Sequence, residues 1–342
     1  MKFSVCLSTG FEGVMYPIPF AGPEDFIAQG KLCERLGYDS VWGNDHVTTQ
    51  DYVRDLFPGK PPNFYEPMMV LAAIGAVTTR LKLGTALTVL PMRDPIYLAK
   101  QAITLDQMSN GRFIMAVGLG AYREEFLAWG GSRVEKARRG DMMDEGLEAL
   151  QLLFNEARCS YEGKYYTFKD LEMFPKSRAQ PFPLYVGGHN MEALERAARY
   201  GQGWLPGWRP LKEMEERIAA LKTRALEVGR NPSDIEIAPQ FSVTVDKTLE
   251  AAEKRYMESG LVAHRVSLSY TGRDLSHQVV ANLVGSPDVI LEKIDKLRAI
   301  GVDHCSALMF PADSVTEMNE QIEWFATDVM ARLGQPQAGV GN

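Results

Sequence analysis

The sequence predicts an α/β fold in the form of a (β/α)8 TIM barrel with inserted loops and a small hairpin, and three observations carry that expectation. Short β-branched or apolar runs alternate with amphipathic stretches, eight such runs occur along the chain, and several helical stretches close on a glycine placed as a C-cap (Gly37, Gly201, Gly229, Gly301). The strand candidates are 2–8, 39–42, 81–90, 112–118, 183–187, 202–205, 235–244 and 303–309. Helices are expected between them over 24–36, 66–78, 96–108, 134–154, 190–200, 211–228, 287–300 and 314–332. The segment 159–168 reads as a two-strand hairpin turning at Glu162 and Gly163, an insert and not a barrel strand. Two further stretches, 47–65 and 261–285, exceed simple connections, and their aromatic and arginine residues, among them His264, Arg265, Tyr270 and Arg273, suggest lids. Residues 1–333 are expected to form one domain, followed by a flexible tail at 334–342.

Composition bounds the function. The 342 residues exceed the ~250 of a minimal barrel, yet no shift in composition marks a second domain. A net charge of −7 without a lysine- and arginine-rich stripe argues against nucleic acid as a partner. The N-terminal run MKFSVCLSTGF is short and strand-like, and no segment approaches the ~20 apolar residues that span a bilayer, so no membrane association and a cytoplasmic location are expected. Cys6, Cys33, Cys159 and Cys305 are far apart, which points to free, mostly buried thiols. The five histidines show neither an i, i+4 pair nor HExxH, so no metal site is expected, and GxSxG is absent.

Active sites of such barrels gather at the C-terminal ends of the strands. After the second strand stands Gly43-Asn44-Asp45-His46, where His46 would move a proton or donate a hydrogen bond, or simply cap the next segment. After the fourth stands Gly118-Leu119-Gly120-Ala121-Tyr122-Arg123. Arg123 occupies the place of the third glycine of a dinucleotide fingerprint and Glu124-Glu125 follow, which disfavours nicotinamide binding; the glycines instead suit close approach of a flat ligand. After the fifth, Gly187-Gly188-His189-Asn190 open a helix whose N-terminus could seat a phosphate, although a turn capped by Asn190 needs the same residues. Arg139 could supply the counter-charge or be solvated. Trp42, Trp204 and Trp208 could line a cavity or pack the core.

Read together, Gly37-Tyr38-Asp39-Ser40-Val41-Trp42 with Asp45-His46, Leu90-Pro91, the run from Leu105 to Phe113, Gly118 to Gly130, Pro183 to Gly188, Gly285-Ser286-Pro287 and Thr327 to Met330 resemble the luciferase-like monooxygenases, in the same order over about residues 1–333. The resemblance implies a barrel that binds reduced FMN, or alternatively reduced F420, at its C-terminal mouth. His46 matches the active-site histidine of the luciferase α subunit, Gly187 to Asn190 the flavin-phosphate segment, and Arg139 lies near a phosphate-binding arginine. Ala86-Leu87 match a position where the family often has a non-prolyl cis peptide beneath the isoalloxazine ring. Leu119 stands where luciferase has an arginine, His189 and Asn190 replace hydroxyl residues, and Gly118 occupies the reactive-cysteine position, so luminescence is not implied.

The expected activity is that of a flavin-dependent monooxygenase. Reduced FMN from a separate flavin reductase and O2 would oxidise a small organic substrate through a C4a-peroxyflavin, with closing loops excluding water. The alternatives are F420-dependent hydride transfer without O2 and a non-catalytic flavin-binding subunit. The family leads one to expect a homodimer.

Overall fold

Proline and short polar caps start the helices, and β-branched runs make the strands between them. Pro23, Pro67, Pro95 and Pro287 each occupy the first position of a helix, where their missing N–H costs nothing. Glu66, Asp94, Asn190, Thr248 and Ser314 accept first-turn amides as N-caps. The computed structural model describes residues 1–267 and 277–333.

In chain order the elements are β1 (Lys2–Cys6), α1 (Pro23–Leu36), β2 (Ser40–Gly43), α2 (Asp51–Leu56), α3 (Pro67–Val77), β3 (Lys82–Val89), α4 (Pro95–Met108), β4 (Phe113–Gly118), α5 (Arg123–Gly130) and α6 (Arg139–Asn155). There follow β5 (Arg158–Glu162), β6 (Thr167–Glu172), β7 (Leu184–Gly187), α7 (Met191–Tyr200), β8 (Gly203–Leu205), α8 (Leu211–Glu227), β9 (Glu236–Ile237), β10 (Gln240–Val245) and α9 (Leu249–Met257). The chain continues with α10 (Gly260–Ser267), β11 (Leu283–Gly285), α11 (Pro287–Ala299), β12 (His304–Met309), α12 (Val315–Phe325) and α13 (Ala331–Leu333).

Ten strands form one curled parallel sheet in the order β11-β10-β12-β1-β2-β3-β4-β7-β8-β9, while β5 and β6 pair separately and antiparallel. The run from β9 to β10 touches strands on both sides. Ala238 N–H and Gln240 N–H donate to the Trp204 and Pro206 carbonyls at 2.9 Å, and Ser306 N–H donates to the Pro239 carbonyl at 2.9 Å.

Alternation along the strands sorts the apolar residues into two cores. Val5, Leu7, Val41, Leu83 and Val186 face the helices. Cys6, Trp42, Ala86, Ile114, Tyr185 and Leu205 fill the interior of the curl. A Cβ on Gly84 would lie 2.3 Å from the Trp42 ring and one on Gly203 2.6 Å from the Tyr185 ring, so both strands lack a side chain where an aromatic ring fills the space.

Every predicted strand is present, with revised bounds. The run 235–244 is broken into β9 and β10 at Pro239, which has no N–H for a ladder. The hairpin is β5–β6, with its turn at 163–166 instead of Glu162-Gly163, Gly163 N–H donating to the Tyr166 carbonyl. Gly37, Gly229 and Gly301 are left-handed as expected, but Gly201 is not, with φ −85°; there a Cβ would press on backbone oxygens of Gly203 and Ala197, so the constraint is close approach. The insert 47–65 contains α2, and α5 and α9 are further helices that the periodicity did not reveal.

The described parts of the second insert are built into the fold. Leu261 and Val262 of α10 are buried in the interior core, and β11 pairs with β10. Lys293 Nζ donates to the carbonyls of Val279, Asn282 and Val284, each at 2.9 Å. Tyr270 and Arg273 of that insert, and the tail 334–342, lie outside the described residues. Trp42 and Trp204 are fully buried, so for these two the packing alternative holds. All four cysteines are free and buried, and burial pushes the Cys6 and Cys305 thiols up to about 12. Among the described residues no helix is long and apolar enough to cross a membrane.

At the N-terminal ends of the strands the interior is closed by buried polar groups. His304 places Nδ1 2.9 Å from Glu236 Oε1 and Nε2 2.9 Å from Ser4 Oγ, while Lys2 Nζ lies 2.7 Å from Glu236 Oε2. Burial alone would raise the Glu236 carboxyl, but its contacts with His304 and Lys2 outweigh that and hold it at about 2. A carboxyl depressed in the fold stabilises it fully above its ordinary value of 4.5, and the contribution disappears as pH falls from there toward 2. Glu236→Gln should therefore flatten the acid limb of stability by about 2–3 kcal/mol between roughly pH 5 and 2. Urea denaturation at a series of pH values measures this; identical acid limbs in the two proteins would refute it.

Candidate active site

The turn after β2 gives three consecutive side chains different jobs. Asn44 Oδ1 accepts Gly10 N–H at 2.9 Å and lies 3.0 Å from Thr9 Oγ1, tying the ends of β1 and β2 together. Asp45 is buried and carries structure: Oδ2 accepts Val89 N–H at 3.0 Å and Oδ1 pairs with Arg93. His46 points the other way, and its Nδ1 lies 3.1 Å from Glu125 Oε2 and 3.0 Å from the Gln50 side-chain amide.

Glu125 comes from the first turn of α5 and is almost fully buried. Its Oε1 also accepts the amides of Val47 and Thr48. Burial pushes the Glu125 carboxyl up, yet the hydrogen bond from His46, the His46 charge and the two amides together bring it below its ordinary value. The carboxylate at Nδ1 favours the tautomer with hydrogen there and the Gln50 amide nitrogen favours the other; with Nδ1 engaged by both, Nε2 is the nitrogen left for a ligand. The acidic pair Glu124-Glu125 was visible in the sequence, but there it served only to disfavour a nucleotide; its approach to His46 is a matter of tertiary structure.

The peptide Ala86–Leu87 is cis. The Leu87 side chain crosses the neighbouring strand ends, where a Cβ on Gly118 would lie 2.6 Å from it and one on Gly187 2.4 Å. The space before Gly120 is likewise taken by Val89, and that before Gly188, at φ +111°, by Ala193. These glycines therefore make room for the protein's own side chains, and half-buried Leu87 is the apolar surface they leave at the strand ends. Gly207, at the next strand end, faces open space.

Other expected residues are spread along the same rim. Tyr122 precedes α5 and its ring lies 5.8 Å from that of His46. Arg139 donates through Nη1 to the Gly120 carbonyl at 2.9 Å, and burial lowers its pKa. Asn190 caps α7 through Ala193 N–H at 3.0 Å, with half-buried His189 before it, and Trp204 Nε1 donates to the Gly188 carbonyl at 2.8 Å. Trp208 is half-buried beneath the Arg265 guanidinium, 5.2 Å from the ring.

Both inserts converge over His46. Phe64, from the first, lies 5.5 Å from the His46 ring. Tyr52 Oη is 2.7 Å from Nδ1 of His264 in α10 and 3.5 Å from Tyr122 Oη. A Cβ on Gly260 would meet the Met15 carbonyl at 2.6 Å, so α10 starts hard against the loop after β1. Ser8 Oγ and Asn44 Nδ2, at the neighbouring ends of β1 and β2, are buried without a hydrogen-bond partner among the described residues, whereas Thr88 Oγ1, likewise unpartnered, is turned to the helix side by its register with Val117 and, through it, Val186. Two surface clefts, of about 280 and 450 Å3, lie elsewhere, beside α9 and between α6 and α7.

Because Asp45 anchors the turn, Asp45→Ala should cost about 2–4 kcal/mol by leaving Arg93 and the Val89 amide without their partner. Denaturant unfolding measures this; a loss under 1 kcal/mol would show that the pair does not hold the turn.

Comparison with known proteins gives a consistent picture. The family described as luciferase-like monooxygenase matches residues 1–304. An F420-dependent glucose-6-phosphate dehydrogenase of Microbacterium testaceum is 26% identical over 333 residues, covering 91% of this chain and 94% of that protein. An FMNH2-dependent dimethylsulfone monooxygenase of Pseudomonas putida is 24% identical over 326 residues, 88% of this chain and 85% of the other. The crystal structure of monooxygenase RslO1 from Streptomyces bottropensis superposes with a TM-score of 0.78 at 22% identity, covering 98% of this chain and all of that one.

Proposed function

The chain belongs to the luciferase-like monooxygenase family, and we propose that it is a flavin-dependent monooxygenase using reduced FMN, delivered by a separate reductase, and O2 to oxidise a small organic substrate. The carrying observation is the His46–Glu125 pair at the C-terminal strand ends, roofed by both inserts. We read the curled sheet as a closed (β/α)8 barrel in a single domain, 1–333, supported by the hydrogen bonds of the 236–240 run to β8 and β12. A cytoplasmic homodimer completes the reading.

The residues present fit a flat, polar-edged cofactor. Leu87 offers an apolar floor, and the buried, unpartnered Ser8 and Asn44 atoms offer hydrogen bonds to a ring edge. Gly188 to Asn190 and the start of α7 would take the phosphate, with the remaining N–H groups of Arg139 beside it. When bound, reduced FMN supplies the electrons with which O2 oxidises the substrate. His46 holds or transfers a proton through Nε2, and Glu125 keeps the ring oriented by holding Nδ1–H, as in other histidine–carboxylate pairs. The roof excludes water from that exchange. A merely structural subunit would not need this pair.

The F420-dependent relative supports a second reading, hydride transfer to or from F420 without O2. Anaerobic titration separates the two: reduced FMN should bind at least about tenfold more tightly than oxidised FMN and than reduced F420. Tighter binding of reduced F420 would replace the monooxygenase reading with hydride transfer. In the loaded enzyme, His46→Ala should lower turnover by about 10² to 10⁴ with little change in cofactor affinity, and Glu125→Gln by about tenfold or more. Unchanged turnover in His46→Ala would remove that residue from the reaction.

A further inference from the structure

We propose that the mouth selects a neutral, apolar, ring-bearing substrate through an aromatic wall formed by Phe64, Tyr122 and Tyr52 around His46. This rests on the reading of the His46 edge as the reaction site and names the substrate class that edge admits. The Phe64 and Tyr122 rings flank the imidazole at 5.5 and 5.8 Å, and Tyr52 continues the wall 6.0 Å beyond Tyr122. Below them, half-buried Phe11, Met15 and Leu87 pack on the interior core. A substrate lying between wall and floor exchanges water for rings and methyl groups on both faces, which favours apolar and aromatic bodies.

Among the described residues, charged groups near the mouth are engaged by protein partners: Arg93 pairs with Asp45, and Arg265 is buried against Tyr256 and Ser242. Glu12 is buried and accepts the Phe20 amide at 2.9 Å and both the backbone and side-chain N–H of Asn63. A phosphorylated or otherwise anionic substrate would have to displace one of these contacts, and a buried charge stripped of its partner is costly. A neutral substrate displaces none.

The test uses the full chain without cofactor, titrated with 1-indanone, a neutral bicyclic ketone, and separately with glucose 6-phosphate, both followed by ligand-observed NMR. The expected result is binding of the ketone at least tenfold tighter than the sugar phosphate. Phe64→Ala should weaken ketone binding at least tenfold, whereas Met108→Ala, an exposed position at the far end of α4, should leave it unchanged. Should Phe64→Ala fail to fold, Phe64→Gln, which keeps much of the volume and changes the polarity, carries the same expectation. Glucose 6-phosphate binding as tightly as the ketone, or ketone binding that survives loss of the Phe64 ring, would overturn the proposal. Since no cofactor is present, failure of reduced FMN to bind in its own titration counts against the cofactor reading and leaves the ketone result standing.

Discussion

A parallel strand buried on both faces must commit every second residue to the interior of the curl, and most of this molecule follows from how those positions are filled. In the middle layer they hold Trp42 and Tyr185, seated where Gly84 and Gly203 have no side chain. In the lowest layer they hold the His304–Glu236–Ser4 network, whose charges are bearable there because each has a partner. In the layer nearest the C-terminal ends the same positions carry Ser8, Asn44, Gly118 and Gly187, which are polar or absent. The interior is thus built of rings and polar pairs below and of small or polar residues crossed by Leu87 above, and the upper end carries His46.

The rim divides its labour between neighbours in sequence. Asp45 and His46 are consecutive, yet one fastens the turn to Arg93 and the Val89 amide and the other meets Glu125. Two carboxylates next to one turn thus serve opposite ends. The Asp45 charge is consumed in holding backbone, while Glu125, braced by the Val47 and Thr48 amides, orients a titratable ring. The cover has a similar economy: Tyr52 of the first insert reaches His264 of the second, so two long excursions of the chain stabilise each other across the site.

Much was legible before any coordinates. Alternation of short apolar runs with helical periodicity depends on local spacing, and it located every strand of the large sheet except β11; proline and glycine marked helix ends for local reasons as well. The break at Pro239 and the second insert were not legible as structure, because the first is a consequence of one missing N–H and the second of contacts made by Leu261, Val262 and Lys293 with distant residues. Gly118 and Gly120 were recognised as positions of close approach, and Gly187 and Gly188 as the opening of a helix. What fills the space at Gly118, Gly187 and Gly188, namely Leu87 and Ala193, could be identified only from neighbouring strands and turns brought together.

By itself, then, the sequence determined the α/β class, the positions of the strands it listed, and His46 at a strand end, since each depends on residues near one another in the chain. Only the tertiary structure decided that Glu125, 79 positions away, would orient that histidine, that Phe64 and Tyr122 would flank it, and that Ser8 and Asn44 would stand on adjacent strand ends. The physical reason is that strand spacing and register set which remote side chains meet, and no local pattern encodes a distance between strands.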